Sequence, residues 1–147
     1  MSERRRLKVL VTSFTYKSGI PADELGHGGG FVFDCRFIPN PGREQRFTEL
    51  TGRDWEVIIF LDENPIMQEF LSNVKAIVGQ AVATYVQRDF EFLSIQFGCT
   101  GGQHRSVYSA EKIAEFIQAN YPVDITLEHL QQNIVRGWER SYLKGGG

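Results

Sequence analysis

The sequence from residue 98 to residue 106 contains the side chains best suited to hold an anion. It reads Gly-Cys-Thr-Gly-Gly-Gln-His-Arg-Ser and lies between a strand-like run, Phe92 to Phe97, and a helical pattern that begins near Arg105. A strand, a glycine turn and a helix start together present backbone N–H groups and the positive end of a helix dipole. Arg105 adds a planar guanidinium that matches phosphate or carboxylate oxygens. We predict an anion-binding loop; the alternative is a strand-to-helix turn without a ligand.

Polar residues elsewhere in the chain are expected near this loop. Tyr16 and Lys17 follow a first strand-like run that ends at Ser13, where ligands gather in open α/β sheets. A second strand-like run, Phe31 to Phe37, places Asp34 and Arg36 on one face, as a ligand contact or as an internal ion pair. With Asn40, the candidate ligand-binding residues are Tyr16, Lys17, Asp34, Arg36, Asn40, Cys99, Thr100, Gly101, Gly102, Gln103, His104, Arg105 and Ser106.

A catalytic interpretation of the loop stays open. Cys99 and Arg105 have the C-x5-R spacing of cysteine-dependent protein phosphatases, in which a thiolate attacks a phosphoryl group that the arginine holds. The reaction also needs a general acid, for which Asp34, Asp62 or His104 is available. Gly98 stands where those phosphatases usually have histidine. In a non-catalytic site, Cys99 is expected to pack beneath the loop.

Length and composition predict one globular domain. The chain has 147 residues, 41% of them hydrophobic, and a formal net charge of -2. The two cysteines, Cys35 and Cys99, and the absence of an apolar leader at the start predict a reduced, cytoplasmic protein. No apolar run is long enough for a membrane span, and no metal or cofactor is expected.

The elements that position the loop form an α/β pattern. Apolar residues recur at helical spacing from Asn64 to Tyr85 and again from Val107 to Ile117, whereas Trp55 to Leu61 fits either a helix or a strand. A short strand at Val123 to Ile125 and a final helix from about Thr126 to Tyr142 are expected to end the fold. We predict a single three-layer α/β domain with a mainly parallel central sheet.

Four blocks of sequence resemble the C-terminal domain of the RNase adapter protein RapZ family. They occur in the family's order and cover almost the whole chain. They are Ser13-Phe14-x-Tyr16-Lys17-x-Gly19-Ile20-Pro21, then Val32 to Pro41, then Thr51-Gly52-x-Asp54, and finally Gly98 to Tyr108 with Ala110 and Glu111.

The resemblance implies a ligand-sensing domain that binds an amino sugar phosphate such as glucosamine 6-phosphate. By matching position, Cys99 to Ser106 would form the phosphate side of the pocket, and Asp34, Arg36 and Asn40 would lie at its rim. The domain would act as a regulatory adapter, would be capable of self-association, and would work with a protein partner that carries a nucleotide-binding domain. It is expected to span residues 1–147, with 1–6 and 143–147 flexible.

The chain also departs from the family pattern. Gly42 stands where the family commonly has a histidine implicated in the sugar phosphate site, and no P-loop motif is present. The family's basic tail contacts RNA, whereas this chain ends in Arg140-Ser141-Tyr142-Leu143-Lys144 and three glycines. RNA binding is therefore a further alternative that depends on few clustered cations, among them Arg4, Arg5 and Arg6.

Overall fold

The computed structural model describes residues 6–23 and 26–139. Five strands and three α-helices lie in this part of the chain, and two short 3-10 turns, Pro41–Arg43 and Gln45–Phe47, come before the first helix. In chain order the elements are β1 (Lys8–Thr15), β2 (Gly30–Asp34), α1 (Trp55–Asp62), α2 (Pro65–Gln87), β3 (Phe92–Cys99), α3 (Arg105–Asn120), β4 (Asp124–His129) and β5 (Ile134–Glu139).

The five strands form one sheet in the order β2-β3-β1-β4-β5. The first four are parallel, and β5 runs antiparallel to β4. The prediction of a single α/β domain with a mainly parallel sheet is confirmed. The register pairs Thr15 with Cys99 and Asp34 with Gly98, so the carboxyl ends of β1, β2 and β3 lie side by side.

The helices pack against one face of the sheet. Alternate residues of β1, β3 and β4, such as Val11, Ile95 and Leu127, join buried residues of all three helices in one hydrophobic cluster. The layer on the other side of the sheet is a loop: Pro21, Ala22, Asp23 and Gly29 lie over Thr12, Ser94 and Gln96. This second face of the sheet carries the polar side chains of Thr12, Ser94 and Gln96.

The predicted helices at the centre of the chain are confirmed. Asn64 begins α2, because its Oδ1 accepts hydrogen bonds from the N–H groups of Ile66 and Met67, and Pro65 fills the first helical position. Helix α3 begins at Arg105 and ends at Asn120, as its apolar spacing predicted. The stretch from Trp55, which the sequence left open, is helix α1.

The predicted C-terminal helix is wrong. Residues 124–139 form a β-hairpin, and Tyr142 lies outside the described residues. Side chains alternate between the two faces of each strand, and four apolar residues of the hairpin thereby face the helices: Ile125, Leu127, Ile134 and Trp138. The β-branched residues of this segment also favour strands. Asn133, with φ at 57°, supplies the left-handed turn that joins the strands.

The second strand is also shorter than predicted. It ends at Asp34, and a turn follows in which the Ile38 N–H donates to the Cys35 carbonyl. The expected alternation therefore stops before Phe37, which is 64% exposed.

No helix in the described residues is long and apolar enough to cross a bilayer.

Candidate phosphate-binding site

The loop between β3 and α3, residues 100–104, holds its backbone in the arrangement that an anion site requires. Two of its carbonyl oxygens accept hydrogen bonds from side chains: Thr100 O accepts from Thr15 Oγ1 at 2.6 Å, and Gly102 O accepts from Gln132 Nε2 at 3.0 Å. The N–H groups of residues 101–106, by contrast, donate no hydrogen bond to another described residue. Unpaired N–H groups at a helix start form a ready-made anion site.

The two glycines of this loop have different structural roles. Gly102 has φ at 64°, and a Cβ on it would lie 2.9 Å from the Thr15 N, so a side chain at this position is excluded. A Cβ on Gly101 would meet open space, and its φ lies in the ordinary range. Position 101 therefore tolerates substitution, which makes it useful for testing the site.

Arg105 is almost completely buried at the first position of α3. Its Nη1 donates to the carbonyl oxygens of Arg36 at 2.9 Å and Ile38 at 2.8 Å, which fixes the guanidinium against the turn after β2. Its Nε is buried without a hydrogen-bond partner among the described residues. An arginine held in this way adds positive charge at the loop, and it also stabilises the fold.

A cavity of about 220 Å³ opens over this loop. Eight of the predicted ligand residues, counting Lys17 and Asn40 with the loop, line it together with Gly42 and Thr48. Its lining residues are Lys17, Asn40, Gly42, Thr48, Cys99, Thr100, Gly101, Gln103, His104 and Arg105. Because drug-sized ligands occupy roughly 300–1,000 Å³, this cavity fits a phosphoryl group with a small organic part.

The loop is braced by a segment that sequence reasoning did not assign to the site. Gln103 Nε2 donates to the carbonyl oxygens of Thr48 and Leu50, and the Gly52 N–H donates to Gln103 O. A Cβ on Gly52 would collide with His104 O, so this position requires glycine. The Thr51-Gly52-x-Asp54 block was a signal for this contact, although its purpose was not evident from the sequence.

His104 lies between that segment and the cavity. Its Nε2 is 2.8 Å from the Phe47 carbonyl oxygen, an acceptor, so Nε2 carries the proton. The other edge of the ring faces Gly42: a Cβ there would lie 3.2 Å from His104 Cε1 and 3.1 Å from Asn40 Oδ1. A side chain at position 42 would therefore crowd His104 and Asn40, and these neighbours would have to shift by a few tenths of an ångström.

Five of the predicted ligand residues do not line the cavity: Tyr16, Asp34, Arg36, Gly102 and Ser106. Arg36 forms a bidentate ion pair with Asp34 at 2.8 and 2.9 Å, and its Cζ lies 3.8 Å above the Tyr16 ring. The hydrogen bond from Arg36 holds the pKa of Asp34 below its usual value. Burial raises the pKa of Tyr16. The internal ion pair, one of the two interpretations of this face, is what the structure contains.

The two cysteines lie under the loop rather than in open solvent. Cys99 is 2% exposed, and its Sγ donates to Ser106 Oγ at 3.1 Å, which places Ser106 beneath the cavity rather than in its lining. Burial raises the pKa of the Cys35 thiol, which lies 3.8 Å from Ser109 Oγ.

A Cβ on Gly98 would lie 2.6 Å from Tyr16 Cε2, so the histidine of the phosphatase pattern does not fit here.

A buried chain of hydrogen bonds lies behind the site. Ser13 Oγ is 2.6 Å from His129 Nδ1, and His129 Nε2 is 2.8 Å from Glu111 Oε2. Ser13 and His129 are fully buried, so the chain is shielded from solvent and from substrates. Glu111 also pairs with Arg53 and Arg136, and it thereby connects α3 to β4, β5 and the bracing segment. Sequence reasoning did not pick out His129, which lies between Glu128 and Leu130 and belongs to no recognisable motif.

The fold is a single α/β domain with a candidate strand-loop-helix anion site at the carboxyl edge of its sheet. Residues 7–133 match the family model described as the RapZ C-terminal domain. The chain belongs to this family.

Full-length relatives extend well beyond the region that matches this chain. A nucleotide-binding protein of Nitrosomonas europaea is 42% identical over 109 residues, which cover 74% of this chain and 36% of the relative. A nucleotide-binding protein of Pseudothermotoga lettingae is 32% identical over 133 residues, covering 90% of this chain and 45% of the relative. The chain thus spans less than half the length of these relatives.

Proposed function

We propose that this domain binds a phosphorylated small molecule at the loop of residues 100–104 and acts as a regulatory module without bond-breaking chemistry. The supporting observation is the backbone of the loop, in which the Thr100 and Gly102 carbonyl oxygens are bonded to the protein while the N–H groups of residues 101–106 have no partner among the described residues. Arg105 and Lys17 add positive charge at the same cavity. Phosphate oxygens are acceptors that match these donors.

The proposed ligand is an amino sugar phosphate such as glucosamine 6-phosphate. The cavity is small enough for a monosaccharide phosphate, and Asn40 and Thr48 at its rim offer oxygens to an ammonium or to hydroxyl groups. Gly42 lines the same cavity, and the absence of a side chain at this position avoids crowding His104 and Asn40. Family membership supports the same ligand class.

The regulatory output of the domain would pass through a protein partner. The relatives are named nucleotide-binding proteins, and this chain covers less than half of each. We propose a partner that carries a nucleotide-binding domain. Mixing this chain with the unmatched part of the Nitrosomonas relative, with and without the sugar phosphate, tests the idea by size-exclusion chromatography; elution of two separate proteins in both cases would contradict it.

The first test is calorimetric titration with glucosamine 6-phosphate, glucosamine and inorganic phosphate. We expect the sugar phosphate to bind more tightly than either of its parts, because only it fills both ends of the cavity. Equal affinity for inorganic phosphate would mean that the loop captures anions without recognising the sugar. No heat with any phosphate would contradict the proposal.

A pair of variants at position 101 locates the site. Gly101→Asp puts a carboxylate among the donors, and repulsion between charges at this distance lowers affinity for the phosphate by at least about tenfold. Gly101→Asn has nearly the same shape without the charge and keeps most of the affinity. Since a Cβ at Gly101 meets open space, both variants fold normally. Equal affinity of the two variants would place the ligand elsewhere.

A further inference from the structure

The face of the sheet away from the helices carries a second cavity of about 470 Å³. It shares no residue with the cavity over the loop of residues 100–104. Its floor is formed by side chains of β1, β3 and β4, and its roof by the chain around Pro21, Ala22, Asp23 and Gly29. Its volume lies in the range of roughly 300–1,000 Å³ that small-molecule sites occupy.

Polar side chains form the centre of this floor. The register pairs Thr12 with both Gln96 and Glu128, so the three side chains lie next to one another on adjacent strands, and Ser94 is two residues from Gln96 on the same face. Thr12, Ser94 and Gln96 are 3%, 6% and 8% exposed, although all three are polar. Buried polar groups without partners are costly, so their presence in a cavity indicates a polar occupant.

Gln96 is incompletely bonded. Its Nε2 lies 3.5 Å from Ser94 Oγ, the outer limit of a hydrogen bond, and its Oε1 is buried without a partner among the described residues. Turning the amide over would exchange these two atoms and would still leave one of them without a partner. A ligand hydroxyl can both donate and accept, so it can satisfy either orientation.

The charge in this cavity is negative. Glu128 and Asp23 are the ionisable residues in its described lining. Asp23 Oδ2 accepts hydrogen bonds from the N–H groups of Gly28 and Gly29, which holds this carboxylate in the roof, and Glu128 is the carboxylate of the floor. Leu10 and Phe92 supply an apolar wall. Arg6 and Lys8 lie in an adjoining cavity that shares Leu10, Phe92 and Glu128.

We propose that this sheet-face cavity binds a small polyhydroxy amine without a phosphate group. The ammonium group pairs with Glu128, and the hydroxyl groups bond to Thr12, Ser94 and Gln96. This occupant is cationic, whereas the ligand proposed for the loop of residues 100–104 carries an anionic phosphate group. The two sites are therefore independent, and each can fail without the other.

Three probes with the same six-carbon chain test the proposal: N-methylglucamine, sorbitol and gluconate, which are cationic, neutral and anionic. Amide chemical shifts of the labelled chain report where each one binds. We expect N-methylglucamine to produce saturable shifts at Thr12, Ser94 and Gln96, and to bind more tightly than sorbitol. Absence of saturable shifts, shifts confined to other residues, or equal or tighter binding of gluconate would overturn the proposal.

Variants separate this site from the loop. Glu128→Gln removes the charge and is expected to lower N-methylglucamine affinity about tenfold, to the level of sorbitol. Glu115→Gln, which removes an exposed carboxylate from α3, is the matched control and leaves the affinity unchanged. Gly101→Asp also leaves it unchanged. An equal loss in all three variants would overturn the proposal, because the probe would then respond to net charge alone.

Discussion

Arg105 has two roles: it bonds to backbone carbonyl oxygens within the fold, and it places positive charge at the cavity. Its Nη1 satisfies two backbone carbonyl oxygens in the turn after β2, while Lys17, which lines the same cavity, is exposed. In the proposed site, both residues would offer positive charge to the phosphate. Only Arg105 also contributes to the fold, so the two residues differ in what their removal does to stability.

We expect Arg105→Ala to abolish phosphate binding and to lower the free energy of unfolding by about 2–5 kcal/mol, since it leaves two carbonyl oxygens unpaired and a void behind. Urea denaturation measures the second effect. Lys17→Ala is the control: it weakens binding with no change in stability. An Arg105→Ala protein of normal stability would show that those carbonyl bonds contribute little.

Gly98 packs closely against the aromatic rings of Phe14 and Tyr16 near the site. A Cβ at this position would lie 2.6 Å from Tyr16 Cε2, so Gly98→Ala forces the aromatic pair of Phe14 and Tyr16 to move. We expect a loss of about 1–3 kcal/mol in the free energy of unfolding, the usual effect of overpacking. Gly101→Ala, where the added methyl meets open space, is the control for thermal denaturation and leaves the midpoint unchanged.

At the scale of elements, Glu111 connects pieces that are distant in the chain. It pairs with His129 on β4, Arg136 on β5 and Arg53 in the segment that braces the loop. Burial raises the pKa of Glu111, but the hydrogen bond from His129 and the charges of Arg136 and Arg53 outweigh it. The pKa of the folded state therefore lies below the ordinary value near 4.5.

This shift sets an expectation for stability against pH. A carboxyl whose pKa is lower in the folded state stabilises the protein above the pKa of the unfolded chain, and the contribution disappears as the pH falls through the folded value. Glu111→Gln should therefore cost about 1–3 kcal/mol at neutral pH, and this cost should disappear as the pH falls through the folded-state pKa of Glu111. Glu115→Gln on the same helix is the control. A constant difference between Glu111→Gln and the wild type at every pH would contradict the assignment.

The sequence predicted elements where one pattern dominated. Helix α2 has an Asn cap, a proline at its first position and a continuous apolar stripe, and helix α3 follows a glycine turn. The C-terminal hairpin was mistaken for a helix because Leu127, Leu130, Ile134 and Trp138 also fit helical spacing. Asn133, whose φ lies in the left-handed region, interrupts the helical spacing in the turn between β4 and β5.

The site was partly predictable for a similar reason. The residues of the loop are contiguous, so their proximity is certain once a strand and a helix flank them. The brace from Thr48 to Gly52 and the contact from Gln132 come from distant segments, and only the fold brings them to the loop. Asp34 and Arg36 were assigned to the correct face, but they bond to each other instead of lining the cavity.

For the whole molecule, ligand binding should be visible as thermal stabilisation. A ligand that binds only the folded chain adds about 2.7 kcal/mol when present at about 100 times its dissociation constant. For a domain of this size, this corresponds to a rise of several degrees in Tm. We expect glucosamine 6-phosphate to raise the Tm of the wild type and of Gly101→Asn, but not that of Gly101→Asp. An equal rise in Gly101→Asp would contradict binding at the loop.

The order of strands in the sheet has a consequence for synthesis on the ribosome. Strand β1 lies in the middle of the sheet, yet its neighbours β3 and β4 begin only at Phe92 and Asp124. Its apolar residues therefore leave the exit tunnel long before the strands that cover them exist, and such exposed segments are prone to aggregate. A nascent chain stalled before Phe92 should hold β1 unpaired and depend on a chaperone, whereas one from which His129 has left the exit tunnel has every parallel strand it needs.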